Sequence, residues 1–584
     1  MNKNRPVMIG VFNSGYIIAL LLFLAGSLGS LCDGVIASRG LGVAELAAIG
    51  LAYPYTKAME CISLLFSSGS QVIIGHKIGQ NEFEEVSKVF YTSLIFMAGL
   101  AVFISLAMIA AADPVSRMLG ASDAGGTLAP TANYLVSLAV GAPAQLLTLY
   151  MIPLFQLDKR DGLVKTATVV MTVVNIALNV LFLIHGMGIM GIGLSTSISN
   201  YVALLILSTH LFRRGKGILL QGSFKVSGAY LAETIKEGAP TAFKNVTSIV
   251  FNTAVNNILA TVGSTEALAA FSAFKTTKFI FLSVSEAIIS PVRLIQSMLR
   301  EEKDRKMLRT IFGYAISRGL ALSVALSALI WFFGREIYSL IVSGAVLDET
   351  VSLMMWASVT FVLNTIVCYY LAYFQAINKN GVVYSISVVL NIVTLPLFYL
   401  LGESFGSQGV WMGHAAQFII VTAYVLGCAL IMGRKNKGLI DKLLVIPMEG
   451  AKNYETYDFH IESVEDATAA DQSFGEICKE GISERRKSYF CSLALEEIVF
   501  NIIDYQKSVG EANLNIDVHI ILYGNDKMVM RVKDCSKERN PFVKYEYGNA
   551  GDGFENLGIQ ILKSIAEDIK YTFVYGVNFI TITV

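Results

Sequence analysis

Between Phe12 and Ile36 the chain runs nearly without polar side chains, and runs of this kind then recur. Apolar stretches of about 20 residues, long enough to cross a bilayer as helices, lie near 12–36, 46–74, 89–112, 131–156, 163–185 and 189–212. A second set lies near 238–262, 267–296, 310–333, 352–376, 382–401 and 408–432. Past about 448 the pattern shortens to period-two alternation and amphipathic turns, the mark of strands and helices in a water-soluble domain. The expected fold is an all-α membrane protein of twelve transmembrane helices in two six-helix bundles, followed by a soluble α+β sandwich. The expected boundaries are 1–220, 221–435, a linker at 436–450, and 451–584.

The two sets resemble each other at a spacing of roughly 220 residues. Leu41–Lys57 lies opposite Val262–Lys278, and Leu154–Gly162 opposite Tyr373–Gly381, with Gln156 matching Gln375 and Gly162 matching Gly381. Six spans per copy keep the copies in one orientation, related by an axis along the membrane normal, a common transporter plan. Lys and Arg collect between the spans on one side, among them Lys77, Lys88, Arg213, Arg214, Arg300, Lys303 and Arg305, with few on the other. That asymmetry predicts a multi-pass protein of the cytoplasmic membrane with both termini cytosolic.

Composition sharpens this picture: 54% of the 584 residues are hydrophobic and only 15% charged, far from a soluble average. Zero formal net charge gives no pull toward nucleic acid. The seven cysteines show no metal-type spacing, which predicts reduced thiols. Against so apolar a background, ionisable residues inside spans mark ion or substrate paths. Asp33 is one. Asn175 and Asn179, four apart, share a helix face and offer amide oxygens to a cation. Lys57 and Glu60 in the second span and Lys275, Lys278 and Glu286 in the eighth are candidate cavity-lining charges; Lys57 and Lys278 hold matching repeat positions.

These features resemble the multidrug and toxic compound extrusion (MATE) transporters over about residues 10–435. The resemblance rests on a glycine followed shortly by Leu-Ala-Ala after the first span of each half, on Gly-Ala-Pro at Gly141 to Pro143 and Gly238 to Pro240, and on Asn175 to Ser199. It implies export of small organic, often cationic, compounds driven by inward H⁺ or Na⁺. It also implies a cation site of Asp33, Asn175, Asn179 and Thr196, with Asn179 standing where the family usually has Asp. That leaves Asp33 as the only carboxylate of the set, suited to a proton or a weakly held Na⁺. Lysines in the cavity leave the substrate's charge open.

In the last 130 or so residues, Asn515–Tyr523 and Lys527–Asp534 read as one hairpin, and the strands flanking Gly576, Val577 and Asn578 as another. Arg485–Gln506 and Leu557–Ile569 read as helices. Glu497 and Asn501 share a face of the first, a carboxylate and amide suited to hydrated Mg²⁺. Gly558 opens the second, where free N–H groups favour phosphate. The segment resembles histidine-kinase-like ATPases, above all the serine kinases of anti-sigma regulation. That resemblance implies Mg-ATP, with Glu497 as catalytic base, Asn501 as Mg²⁺ ligand, Asp534 as partner of the adenine amine, and Gly558 in the glycine box. Ser536 replaces a usual glycine and the second glycine box is short, so the kinase activity is open and a degenerate domain that binds a cytosolic regulatory protein is an alternative. Two further readings are a flippase for a lipid-linked or peptidic precursor, and a receptor whose tail phosphorylates Ser or Thr.

Overall fold

The structure is a computed structural model and describes residues 6–41, 43–121, 126–158, 160–212, 217–220, 225–262, 265–339, 344–446, 454–482, 484–510, 514–524, 527–542 and 557–584. Its first bundle comprises α1 (Val7–Gly40), α2 (Val43–Gly79), α3 (Phe83–Ala110), the short α4 (Ala112–Met118), α5 (Leu128–Phe155), α6 (Asp161–Ile184) and α7 (Gly188–Leu211). The second comprises α8 (Gly228–Val262), α9 (Thr265–Glu286), α10 (Ile289–Glu301), α11 (Arg305–Ser339), α12 (Ala345–Ala376), α13 (Asn380–Val388) and α14 (Leu395–Met432).

Each expected apolar run is helical over most of its length. Ten described stretches are long and apolar enough to cross a membrane, and the last, Asn380–Met432, has 53 residues. It passes through a π-helical turn at Val389–Val393 and a break at Gly406 (φ 61°, ψ −141°), a conformation open chiefly to glycine. The run at 238–262 is the interior of α8, whose Glu233, Lys236, Glu237 and Lys244 lower its hydropathy. The run at 267–296 is split into α9 and the amphipathic α10.

The bundles meet closely along α2, α8 and α10. A Cβ at Gly69 would overlap the Thr234 carbonyl, one at Gly238 the Leu65 carbonyl, one at Gly75 the Ser297 hydroxyl, and one at Gly79 the Met298 carbonyl. Without side chains at these positions, backbones approach at contact distance.

Within 436–450, α15 (Leu439–Leu443) packs on the second bundle, where Arg309 holds Asp441 by two hydrogen bonds of 2.6 and 2.7 Å. The C-terminal domain follows: β1 (Tyr454–Ile461), α16 (Val464–Gly481), α17 (Arg485–Ser508), β2 (Ile516–Tyr523), β3 (Lys527–Asp534), α18 (Leu557–Ile565), β4 (Asp568–Val574) and β5 (Val577–Thr583). All neighbours in the sheet, ordered β1-β2-β3-β5-β4, run antiparallel. The second hairpin turns at Tyr575 and Gly576, both with positive φ (56° and 75°), rather than at Gly576 to Asn578. Two such residues match the twist of a tight hairpin.

Strand alternation divides the sheet's side chains. Ile516, Val518, Ile520, Met528, Met530 and Val532 point to the helices and form a core of their own. The opposite face carries Asp517, His519, Arg531, Lys533, Phe579 and Thr581, and it lies on the ends of the membrane helices. His519, Arg531 and Lys533 are 3%, 9% and 2% exposed, so a face that reads as solvated is covered by the transporter half.

Candidate functional site

The first-bundle site is built by α1, α6 and α7. Asn175 Nδ2 donates to Thr196 Oγ1 at 3.2 Å, and Asn179 Oδ1 accepts from Ser195 Oγ. Asn179 is fully buried and Asn175 7% exposed. Asn175 Oδ1 is buried with no hydrogen-bond partner among the described residues. It faces α1, lying 3.6 Å from where a Cβ on Gly29 would stand. Asp33 is one helical turn beyond Gly29 on α1; its side chain, like that of Lys275, lies outside the described residues. The structure thus brings together Asn175, Asn179 and Thr196, and adds Ser195, which hydropathy alone does not single out. A buried carbonyl-type oxygen without a donor is costly, and a bound cation would satisfy it.

Lys57 pairs with Glu60 on its own helix at 2.5 Å, and its ammonium lies 5.7 Å from the Tyr53 ring centroid. Lys278 lies in the second bundle, 3.4 Å from Asn252 Oδ1 and 5.6 Å from the Phe274 ring. Three groups escape a reading by spacing because their partners are distant in the chain. Lys244 pairs with Glu286 at 3.2 Å. Arg293, 5% exposed, donates to Gln71 Oε1 at 2.9 Å and Thr241 Oγ1 at 3.4 Å, while its Nε has no partner among the described residues. His414 sits among Phe251, Phe271, Phe274 and Phe398, with ring centroids 5.0 to 6.2 Å away.

In the C-terminal domain Glu497 and Asn501 share a face of α17, as expected. Burial, then the neighbouring Glu496, raises the Glu497 carboxyl above its ordinary range. Asn501 Oδ1 is buried without a partner among the described residues. Asp534 is 2% exposed, and its Oδ1 accepts from Ser536 N at 2.9 Å and Asn578 Nδ2 at 3.1 Å. Arg539 closes the space between: its guanidinium lies 4.2 Å from the Tyr505 ring centroid and 3.4 Å from the Asn501 carbonyl. Gly558 is the second residue of α18, and the loop Gly548 to Gly553 lies outside the described residues.

Two like sets of long apolar helices with a polar cluster buried inside one of them define a multi-pass membrane transporter. The sequence model of the MatE family matches residues 19–182 and 240–400, more than half of the chain, and the chain belongs to that family. It is 23% identical over 442 residues to the multidrug export protein MepA of Staphylococcus saprophyticus, covering 74% of this chain and 94% of that one. It is also 23% identical over 457 residues to the probable multidrug resistance protein YoeA of Bacillus subtilis, covering 74% and 96%. Among solved structures, an outward-facing multidrug resistance MATE family transporter of the MOP superfamily superposes with a TM-score of 0.67 at 21% identity, over 71% of this chain and 93% of that one. A MOP superfamily transporter from Pyrococcus furiosus, described as having a binding pocket of reverse polarity, gives 0.65 at 21%, over 73% and 96%. These superpositions cover the membrane fold.

Proposed function

We propose that the chain is an H⁺- or Na⁺-coupled antiporter that exports small organic compounds across the cytoplasmic membrane, both termini in the cytosol, with a regulatory C-terminal domain. The relatives named as multidrug exporters support the transport class. The observation that carries the coupling site is Asn175 Oδ1, buried without a hydrogen-bond partner among the described residues and facing α1 one turn before Asp33. In this reading Asp33 supplies the charge, Asn175 and Thr196 supply neutral oxygens, and Asn179 is held by Ser195 as a support. Binding of the ion favours one of two arrangements of the bundles and substrate the other, so each leaves as the other enters.

The test is flux in proteoliposomes under separate H⁺ and Na⁺ gradients. Asp33→Asn is expected to cut gradient-driven flux about tenfold or more, equivalent to roughly 1.4 kcal/mol of coupling, with the protein still folded. Undiminished driven flux would overturn the assignment.

A second substrate reading has its own support. Arg293 is buried where α2, α8 and α10 meet, and no carboxylate is among its described partners. Lys57 and Lys244 are already paired with Glu60 and Glu286, so Arg293 is the charge that favours an anionic head group over an organic cation, as a flippase would need. Running the same assay with cationic, zwitterionic and anionic probes separates the two.

For the C-terminal domain, the buried Asn501 Oδ1, without a partner among the described residues, supports a retained nucleotide pocket, while the occupied Asp534 and the nearby Arg539 support a domain kept for its contacts. Regulation without turnover reconciles both.

A further inference from the structure

The covered face of the C-terminal sheet touches both bundles, at turns that the internal repeat makes equivalent. The turn after α2 holds Asn81 and the turn after α10 holds Lys303, each left-handed with φ 60° and roughly 220 positions apart. Thr581 Oγ1 donates to Asn81 Oδ1 at 2.9 Å, while Lys303 Nζ donates to the Tyr523 hydroxyl at 2.8 Å and lies 4.7 Å from the Tyr454 and Tyr523 ring centroids. Arg531 joins the two sides directly. Its Nη1 donates to the Glu302 carbonyl at 2.8 Å and its Nη2 to the Gly79 carbonyl at 3.3 Å. One guanidinium therefore caps the C-termini of α10 and α2, where orphan carbonyls and the helix dipoles attract a cation. Beside it Lys533 and Glu302, each about 3% exposed, form an ion pair of 2.5 Å. At the other edge Tyr575 N donates to the Leu157 carbonyl at 2.7 Å, and its side chain lines a small cavity with Gly15, Pro153 and Gln156 of the first bundle and Ser290 and Pro291 of the second.

For alternating access, the ends of α2 and α10 at this face must part. We propose that the C-terminal domain is a releasable staple: while Arg531, Lys533 and the Tyr575 hairpin hold both bundles, the seam at this end stays shut, and transport proceeds only when the domain lets go of one bundle. The inference rests on the transporter reading above, and it assigns the regulation to a contact.

The test uses the full chain. Ser68, fully buried beside the Gly69–Thr234 crossing, is replaced by Cys and labelled with a membrane-impermeant maleimide, read against the chain lacking the substitution. Arg531→Gln is expected to raise the labelling rate about tenfold, the equivalent of roughly 1.4 kcal/mol; an unchanged rate in folded protein overturns the proposal. Because Arg531→Gln could fail to fold, a second chain carries Asn81→Cys with Thr581→Cys and Lys303→Cys with Tyr523→Cys. Bridging both pairs with a reducible bis-methanethiosulfonate reagent, whose spacer fills the gap left by the long Lys303 and Tyr523 side chains, is expected to stop flux and reduction to restore it. Flux that continues with both cross-links formed also overturns the staple, whereas absence of flux both in the unsubstituted chain and in an Arg531→Gln chain whose labelling rate has risen counts against the exporter reading alone.

Discussion

Asp534 carries a carboxylate that its own domain has already engaged. Asn578, directly across the strand pair, gives its amide to Asp534 Oδ1 and also lies 3.1 Å from Ser536 Oγ. Arg539 roofs the same space. An adenine amine would have to displace Asn578, and the rest of a nucleotide would have to move the guanidinium off Tyr505. Arg539→Ala is therefore expected to tighten Mg-ATP binding to the full chain about tenfold, since a cation–π contact and a hydrogen bond of order 1.4 kcal/mol no longer compete. Calorimetry decides: equal, weak binding in both chains means that the pocket is shut by Asn578 and Ser536 alone. Residues of this kind divide by how much of their environment is local. Thr196 came only with the family resemblance, whereas Asn175 and Asn179 were legible because amides stand out in apolar runs and four-residue spacing puts them on one face. Ser195 was not, since serine is common in membrane helices and its bond to Asn179 depends on how α7 packs on α6. Arg293, His414 and Asn578 were invisible for the same reason: their partners sit on elements far away in sequence.

At the scale of elements, the seam of α2 with α8 and α10 depends on missing side chains. Gly238 faces the Leu65 carbonyl so closely that no Cβ fits, and a backbone carbonyl cannot move aside as a flexible side chain can. Gly238→Val is expected to push the bundles apart and cost about 1 to 3 kcal/mol, the usual penalty of overpacking, seen as a lowered midpoint of thermal unfolding in detergent. Gly313→Ala on α11, where an added Cβ meets nothing within 4 Å, is the control and is expected to hold or slightly raise that midpoint, because alanine favours helix over glycine. Most helices were readable from hydropathy, which reports the solvent each run prefers. The breaks were less so. The break at Gly406 falls between the expected runs 382–401 and 408–432, but the split between α9 and α10 lies inside one expected run, and the start of α8 at Gly228 precedes its apolar run by ten positions of polar helix. The hairpin turn moved by one residue because Tyr575 takes a left-handed conformation usually left to Asn or Gly, which composition alone would not indicate.

At the scale of the whole molecule, period-two alternation in β2, β3 and β5 shows two faces but not what covers the second. Arg531, Lys533 and His519 read as ordinary solvated residues, and only their burial against α2, α10 and the turn before α11 reveals a docking surface. The charges also make the surface separable. The domain has its own apolar core between sheet and helices, whereas Val574, Val577 and Phe579 belong to the cluster shared with the membrane helices. A chain of residues 451–584 alone would return Arg531 and Lys533 to water at little cost, so it is expected to be soluble and folded. Added to a transporter ending near residue 446, it is expected to rebind through Glu302, the Gly79 carbonyl and the Tyr575 hairpin. Since the Lys533–Glu302 pair and Arg531 are buried in the docked state and buried charges are screened little, affinity measured by sedimentation or biolayer interferometry should fall by less than about threefold as salt rises from ~0.05 to ~0.5 M. A loss of about tenfold or more would place the affinity in exposed charges instead, and failure to rebind at any salt would mean that the contact needs the connecting segment to raise the local concentration.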